Sequence, residues 1–351
     1  MFRLLPNAIF CCSSIVFFVP AHAFSQAPFY EGKTITIIRS SAPGSVGDMR
    51  TRALIPFLRK HIPGNPTVVI QYMAGGGGRK AANYIYGSVR PDGLTIGSMS
   101  SSVVANAILG ETGVEYDIDK LIFIGAPMIG SSWVFVTRSG AGFASLEELR
   151  SRSDVRVGSQ TVGHVTHIVA RLFAYLMGLK DSRFVTGYSG PELDLAMIRG
   201  ELDARANNAE PAIKRYRDWI SKGLVKFHAL FEIRKGEARH PLFAQLPELE
   251  SFAESANERK LVAMYRAFSL VGTAFVLPPG TSMERAQILN DAMRKALRDA
   301  DFYKEYEKLV GEEPVPLMPE EQKKAIKEIP RETVIVNLMK RLAGPGPLPP
   351  R

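Results

Sequence analysis

The sequence has almost no cysteine. Its two, Cys11 and Cys12, both lie in the N-terminal apolar stretch. If that stretch is a cleaved leader, the remaining chain has no disulfide, no thiolate nucleophile and no cysteine-ligated metal. Catalytic signatures are missing too: there is no Gly-x-Ser-x-Gly elbow, no G-x-x-x-x-G-K-[ST] loop, and no G-x-G-x-x-G completed by a ribose-binding acid. Serines are plentiful in turns, but none is distinguished as a nucleophile from a hydrogen-bonding hydroxyl. Lys/Arg tracts interleaved with aromatics are lacking, so the formal charge of +9 is diffuse and nucleic acid is not an expected partner. The longest apolar stretch falls short of the ~20 residues of a membrane span, and no stable membrane insertion is expected.

What is present begins with an export pattern. Met1-Phe2-Arg3 precedes an apolar core from Ala8 to Val19, and Ala21-His22-Ala23 fits an A-x-A cleavage site, with Ser25-Gln26-Ala27 as an alternative. Residues 1–27 are therefore expected to be a signal peptide cut after Ala23 or Ala27. Phe10 stands before Cys11 where a lipobox needs a small residue, so no lipid anchor is expected. Arg3 is the one charged residue of the leader, and its removal takes the charge from +9 to +8. The remaining chain, 351 residues less 23 or 27, exceeds what a single core usually organises and predicts two domains.

The chain is organised around its first strand, turn and helix. The β-branched run Thr34-Ile35-Thr36-Ile37-Ile38 breaks into a small-residue turn holding Ser41, Pro43, Gly44 and Ser45, and a helix opens near Asp48. Asp48 is by default an N-cap, or else a group that orients pocket waters. Pro56 predicts that this helix bends or ends there. A second β-branched run, Thr67 to Ile70, feeds Gly75, Gly76, Gly77 and Gly78 just before a helical stretch from Arg79. Two helix N-termini could thus face one small anion, since first-turn N–H groups lack partners and the helix dipole favours negative charge. With a third strand at Leu94 to Gly97, the pattern predicts a parallel α/β sheet.

A second domain repeats the device from Trp133 onward. Val155 to Gly158 leads into the turn Ser159 to Gly163, which includes Thr161, and a helix follows His164; Phe184 to Thr186 leads into Tyr188, Gly190 and Pro191. A cleft between the two domains is the architecture that uses all four turns. His164 and His167, three apart, have no acid or thiol at ligand spacing, so capping or ligand hydrogen bonding is expected rather than metal binding. Asn207 is either a turn residue or a polar group at the cleft edge. No metal and no cofactor is expected. The domains are expected to be joined near Pro127 to Trp133 and near Ala229 to Arg234.

Taken in order, these segments resemble the substrate-binding receptors of tripartite tricarboxylate transporters. The similarity runs from Gly32 to about Ile326: Lys33 to Ile37 into Ala42-Pro43-Gly44 and Asp48; Val68 to Ile70 into the glycine run; Arg90-Pro91-Asp92-Gly93-Leu94-Thr95; Tyr116-Asp117; Phe123-Ile124-Gly125; Leu146-Glu147-Glu148-Leu149; Gly158-Ser159 with His167; Tyr188-Ser189-Gly190 with Gly200-Glu201-Leu202-Asp203; and Pro278-Pro279-Gly280-Thr281. The resemblance implies a two-lobed, type II-like α/β clamp in the periplasm, without enzymatic activity. It implies a small organic carboxylate held mainly by backbone N–H groups, transient contact with membrane transporter subunits, and a monomer. Residues 28–127 are expected as the first part of lobe 1 and 128–231 as lobe 2. Residues 232–340 are expected to return to lobe 1, and 341–351 to form a disordered tail. Tyr72-Met73-Ala74 before the glycines and Ser45-Val46 in the first loop depart from the family pattern, which bears on selectivity more than on backbone capture. An exported enzyme on the same clamp, or a sensor feeding a signalling partner, are the competing expectations.

Overall fold

The computed structural model describes residues 28–143, 145–236 and 238–351; the expected signal peptide lies outside the described residues. The first part of the chain runs β1 (Thr34–Arg39), α1 (Val46–His61), β2 (Thr67–Tyr72), α2 (Arg79–Gly87), β3 (Thr95–Met99), α3 (Ser102–Ile108) and β4 (Ile122–Gly125). The middle part runs β5 (Trp133–Arg138), α4 (Leu146–Ser151), β6 (Arg156–Gly158), α5 (Val165–Met177), β7 (Arg183–Val185), α6 (Gly190–Ile198), β8 (Ala204–Asn208), α7 (Ala209–Arg215), α8 (Arg217–Ser221) and β9 (Val225–Phe231). The last part holds α9 (Ala256–Leu270), β10 (Ala274–Leu277), α10 (Met283–Leu297), α11 (Ala300–Val310), α12 (Pro319–Lys327) and α13 (Thr333–Ala343). No described helix is long and apolar enough to cross a membrane.

Two five-stranded sheets follow one plan. In lobe 1 the order is β2-β1-β3-β10-β4, and in lobe 2 it is β7-β6-β8-β5-β9. The first three strands of each sheet are parallel, and the fourth, β10 or β5, is antiparallel to both neighbours. Each antiparallel strand is delivered by a segment crossing from the other lobe. These crossings, 126–132 and 271–273, run side by side: Gly130 N donates to Ser269 O at 2.9 Å and Thr273 N to Met128 O at 3.3 Å. The first lies where the sequence places it. The second lies well beyond Ala229–Arg234, because α9 stays on lobe 2, its Tyr265 ring 5.5 Å from Phe231 and its hydroxyl bonded to Val165 O.

Helix α1 starts where Ser45 Oγ accepts Asp48 N at 3.3 Å, and ends with Arg59, Lys60 and His61 in its last turn, charges that suit the dipole. Contrary to expectation it continues through Pro56 to His61. Proline removes one backbone bond, but Ala53, Leu54 and Leu58 bury a face that meets α10 and α11, and tertiary packing rather than propensity holds such helices. On the opposite face of sheet 1, α2 and α3 contribute to a core that also takes in α5, α9 and α13 and one face of sheet 2. A third core packs α6 and α7 on the remaining face of sheet 2.

Residues 232–340 therefore do not return to lobe 1 as one block. Strand β10 with α10, α11 and α12 does, whereas α13 packs against α5 and α9, and α9, bonded to Val165 of α5 through Tyr265, also meets α3 and α12. Nor do residues 341–351 hang free as a disordered tail. Buried Arg171 of α5 donates to Leu342 O at 2.5 Å and Gly346 O at 2.8 Å, and His167 Nε2 lies 3.2 Å from Gly344 O. Arg351 closes the run on Glu258 at 2.8 Å. Proline and glycine here suit a strap whose carbonyls are read by side chains, since such a segment needs no donors of its own.

Candidate functional site

Between the lobes, at the carboxyl ends of the parallel strands, lies a cavity of about 80 Å³. Its lobe 1 wall is the first turn of α1, Ser45 to Gly47; its lobe 2 wall is the first turn of α5, with His164 and Thr166. Strand ends add Arg39 from β1 and Asn207 and Asn208 from β8, and Ser131 and Thr273 of the crossing segments close the back. Trp133 supplies an apolar patch. Two helix N-termini from opposite lobes thus converge on one hydroxyl-rich space, and such ends attract anions through free N–H groups and the aligned dipole.

Four guanidinium groups line this space: Arg39, Arg50, Arg205 and Arg215. Three are matched by carboxylates. Arg50 pairs with Glu312 at 2.6 Å and also donates to Ser131 Oγ. Asp194 accepts from Arg205, from Arg215 at 3.2 Å and from Tyr216 OH at 2.5 Å. Arg39 is buried, pairs with no carboxylate among the described residues, and donates from Nη1 to Ser98 O at 2.8 Å. Burial pushes its pKa down to about 10, partly opposed by Asp48, so it stays cationic at neutral pH. His164 Nδ1 accepts Thr166 N at 3.2 Å, capping α5. Burial, with Arg39 and His167 adding repulsion, lowers its pKa to about 3, so the ring is neutral.

A family model described as the tripartite tricarboxylate transporter family receptor matches residues 57–339. The chain belongs to this receptor family. No curated protein sequence matches it. Among solved structures, the periplasmic binding protein BugD is similar with a TM-score of 0.68 at 18% identity, over 90% of this chain and 99% of that one. MatC from Rhodopseudomonas palustris, solved with bound malate, gives 0.65 at 20% identity over 89% and 99%. Rpa4515 of R. palustris, solved with adipate, gives 0.64 at 18% over 89% and 96%. These likenesses show the fold: two sheets, each flanked by helices.

Within the receptor, Ser41, Ser45, His164 and Asn207 of the expected site line the cavity. Asn207 is no turn residue but lies in buried β8, its Nδ2 2.9 Å from Tyr216 OH. Asp48 is held one layer back, accepting Gly44 N at 2.8 Å and Tyr72 OH at 2.7 Å. Gly44 O accepts from Arg215 of lobe 2 at 2.8 Å, and Pro43 beside it is exposed. Ser159 Oγ lies 2.9 Å from His167 Nδ1, behind α5, and Tyr188 is half-buried against the third core.

The glycine run takes a different place. Gly75 to Gly78 are not among the cavity walls. Gly77 N donates to Thr161 Oγ1 at 3.1 Å, and Gly77 O accepts from Ser102 Oγ at 2.8 Å, so the run forms a seam between the lobes. The reading from sequence overlooked all four arginines. Arg39 and Arg205 had a visible signal: Arg39 ends the β-branched run of β1 and Arg205 stands between two alanines in β8, where an ionised group is costly to bury unless something meets it.

Proposed function

We propose that this receptor captures a small carboxylate in the interlobe cavity, in the periplasm, and presents it to the membrane subunits of a tripartite transporter. One observation carries the reading: the first turns of α1 and α5, from opposite lobes, open onto a single cavity lined by hydroxyls and guanidiniums. Malate and adipate in the structures of MatC and Rpa4515 support the same ligand class. The receptor binds without converting its ligand: the cavity offers a carboxylate donors, while the Nδ1 lone pair of His164 is taken by Thr166 N in the cap of α5 and burial makes the ring a poor proton acceptor. Calorimetric titration of the purified chain with mono-, di- and tricarboxylates is the test, with a neutral sugar and an amine as controls. A 1:1 complex from which the carboxylate is recovered unchanged is the expected result. Binding of sugars or amines with no carboxylate bound overturns the reading, and a chemically altered ligand favours an enzyme on the same clamp.

A further inference from the structure

We infer that Arg39 is the specificity-determining residue of the cavity: it takes an acidic group of the ligand directly and selects dianionic over monoanionic carboxylates. The inference rests on the carboxylate reading above and adds the residue that decides charge. Its first support is placement. The Arg39 guanidinium lies against the first turn of α1, so close that a Cβ on Gly47 would stand 1.9 Å from Nη2. A cation packed on the positive end of a helix dipole is unfavourable until an anion joins it. The absent side chain at Gly47 is what lets it fit there.

Its second support is an unmet hydrogen-bonding capacity. Arg39 is 2% exposed, yet only Nη1 finds protein acceptors among the described residues, and Nε is buried with no partner. Buried guanidiniums are ordinarily paired and bonded. Charge balance is the third. Four lining guanidiniums, Arg39, Arg50, Arg205 and Arg215, face two carboxylates, Glu312 and Asp194, which leaves two positive charges uncompensated. Asp48, behind the wall, attracts Arg39 from outside the cavity and is itself paired with Arg52 at 3.1 Å, so counting that pair leaves the difference at two. A ligand with two negative charges balances the site, and a guanidinium fork is suited to a carboxylate.

The experiment compares wild type, Arg39→Met and Arg39→Lys by calorimetry with dicarboxylates of three to five carbons and monocarboxylates of equal carbon number, and measures the unliganded stability of each by urea unfolding. Wild type is expected to prefer dicarboxylates. Arg39→Met should weaken dicarboxylate binding on the order of 100-fold, as expected for losing one partner of a buried charge pair, with a much smaller effect on monocarboxylates. Arg39→Lys should keep the preference at reduced affinity, since it retains charge without the fork. The unliganded Arg39→Met protein should be as stable as wild type or more so, because an uncompensated buried cation has been removed and Ser98 O keeps its bond from Ser40 N. Equal weakening for both ligand classes, or a less stable Arg39→Met protein, assigns Arg39 a structural role and overturns the inference while the carboxylate reading stands. Wild type that binds no carboxylate overturns both.

Discussion

Replacing Gly77 with alanine separates closure from folding. Gly77 has φ +62°, and a Cβ there would stand 2.6 Å from Gly163 C and 2.7 Å from its carbonyl oxygen, across the seam between lobes. Both obstacles are backbone, so neither can rotate away. In a closed receptor the lobes must part by most of an ångström, which costs about 1–3 kcal/mol for the overpacked contact. The bond from Gly77 N to Thr161 Oγ1 is lost with it, a further ~1 kcal/mol. Together these weaken ligand binding by about 2–4 kcal/mol, or roughly 30- to 900-fold in Kd. The left-handed backbone strain, about 1–2 kcal/mol, acts in open and closed states alike and shows in unfolding rather than affinity. Calorimetry gives the affinity, and scattering shows whether ligand still compacts the particle. An alanine variant that binds within threefold of wild type and compacts equally would refute the claim that the glycine seam must close for capture.

Stability should fall with acid before ordinary carboxylates titrate. Burial lowers the pKa of His164 to about 3 and of His167 and His228 to about 4, all below the unfolded value near 6.5. The unfolded chain therefore binds more protons as pH falls through 6.5, and urea-unfolding free energy should level off above about pH 7.5 and drop by ~1 kcal/mol per unit for each such histidine between pH 6 and 5; a flat profile over that window contradicts the neutral assignments. Deleting residues 344–351 strips Arg171 of its bond to Gly346 O and Glu258 of Arg351, and should cost about 2–4 kcal/mol, roughly 3–6 °C in thermal midpoint. An unchanged midpoint would show that the strap contributes nothing.

Strands β1, β2 and β3 were legible as apolar or β-branched segments ending in turns, whereas β8, Ala-Arg-Ala-Asn-Asn, carries no β-branched residue and escaped notice, and the cap of α1 is Ser45 rather than the expected Asp48, which sits in the first turn. Strand β10 could be seen as a strand but not as a partner of β3, since an antiparallel insertion from 175 residues downstream leaves no mark on local pattern. The glycine run was conspicuous for a reason other than ligand binding: Gly77 and Gly163 meet backbone to backbone, and a chain needs glycine for close approach as much as for cradling an anion. The arginines escaped notice because their significance is collective. Arg205 reads as a misplaced charge in β8 until Asp194 is known to face it, and Arg39 reads as the end of a strand until its lack of any such partner is seen.

Closure and capture meet at Gly44. Its N–H is held by Asp48 of α1 at 2.8 Å, and its carbonyl is taken by Arg215 of lobe 2 at 2.8 Å. Arg215 is itself anchored on Asp194, which holds Arg205 in the cavity wall. On the proposed reading, the turn that would present the first N–H groups of α1 to a ligand is the same turn that Arg215 of lobe 2 grips. At the cleft mouth this bond, that from Gly77 N to Thr161 and one from Lys214 to Lys308 O cross between the lobes, each hydrogen bond worth about 1 kcal/mol net, beside the apolar core the lobes share. A ligand contacting both helix N-termini adds what those bonds lack, because only the closed arrangement brings α1 and α5 to one anion; the free energy that favours closure is then the difference between binding at two helix ends and at one.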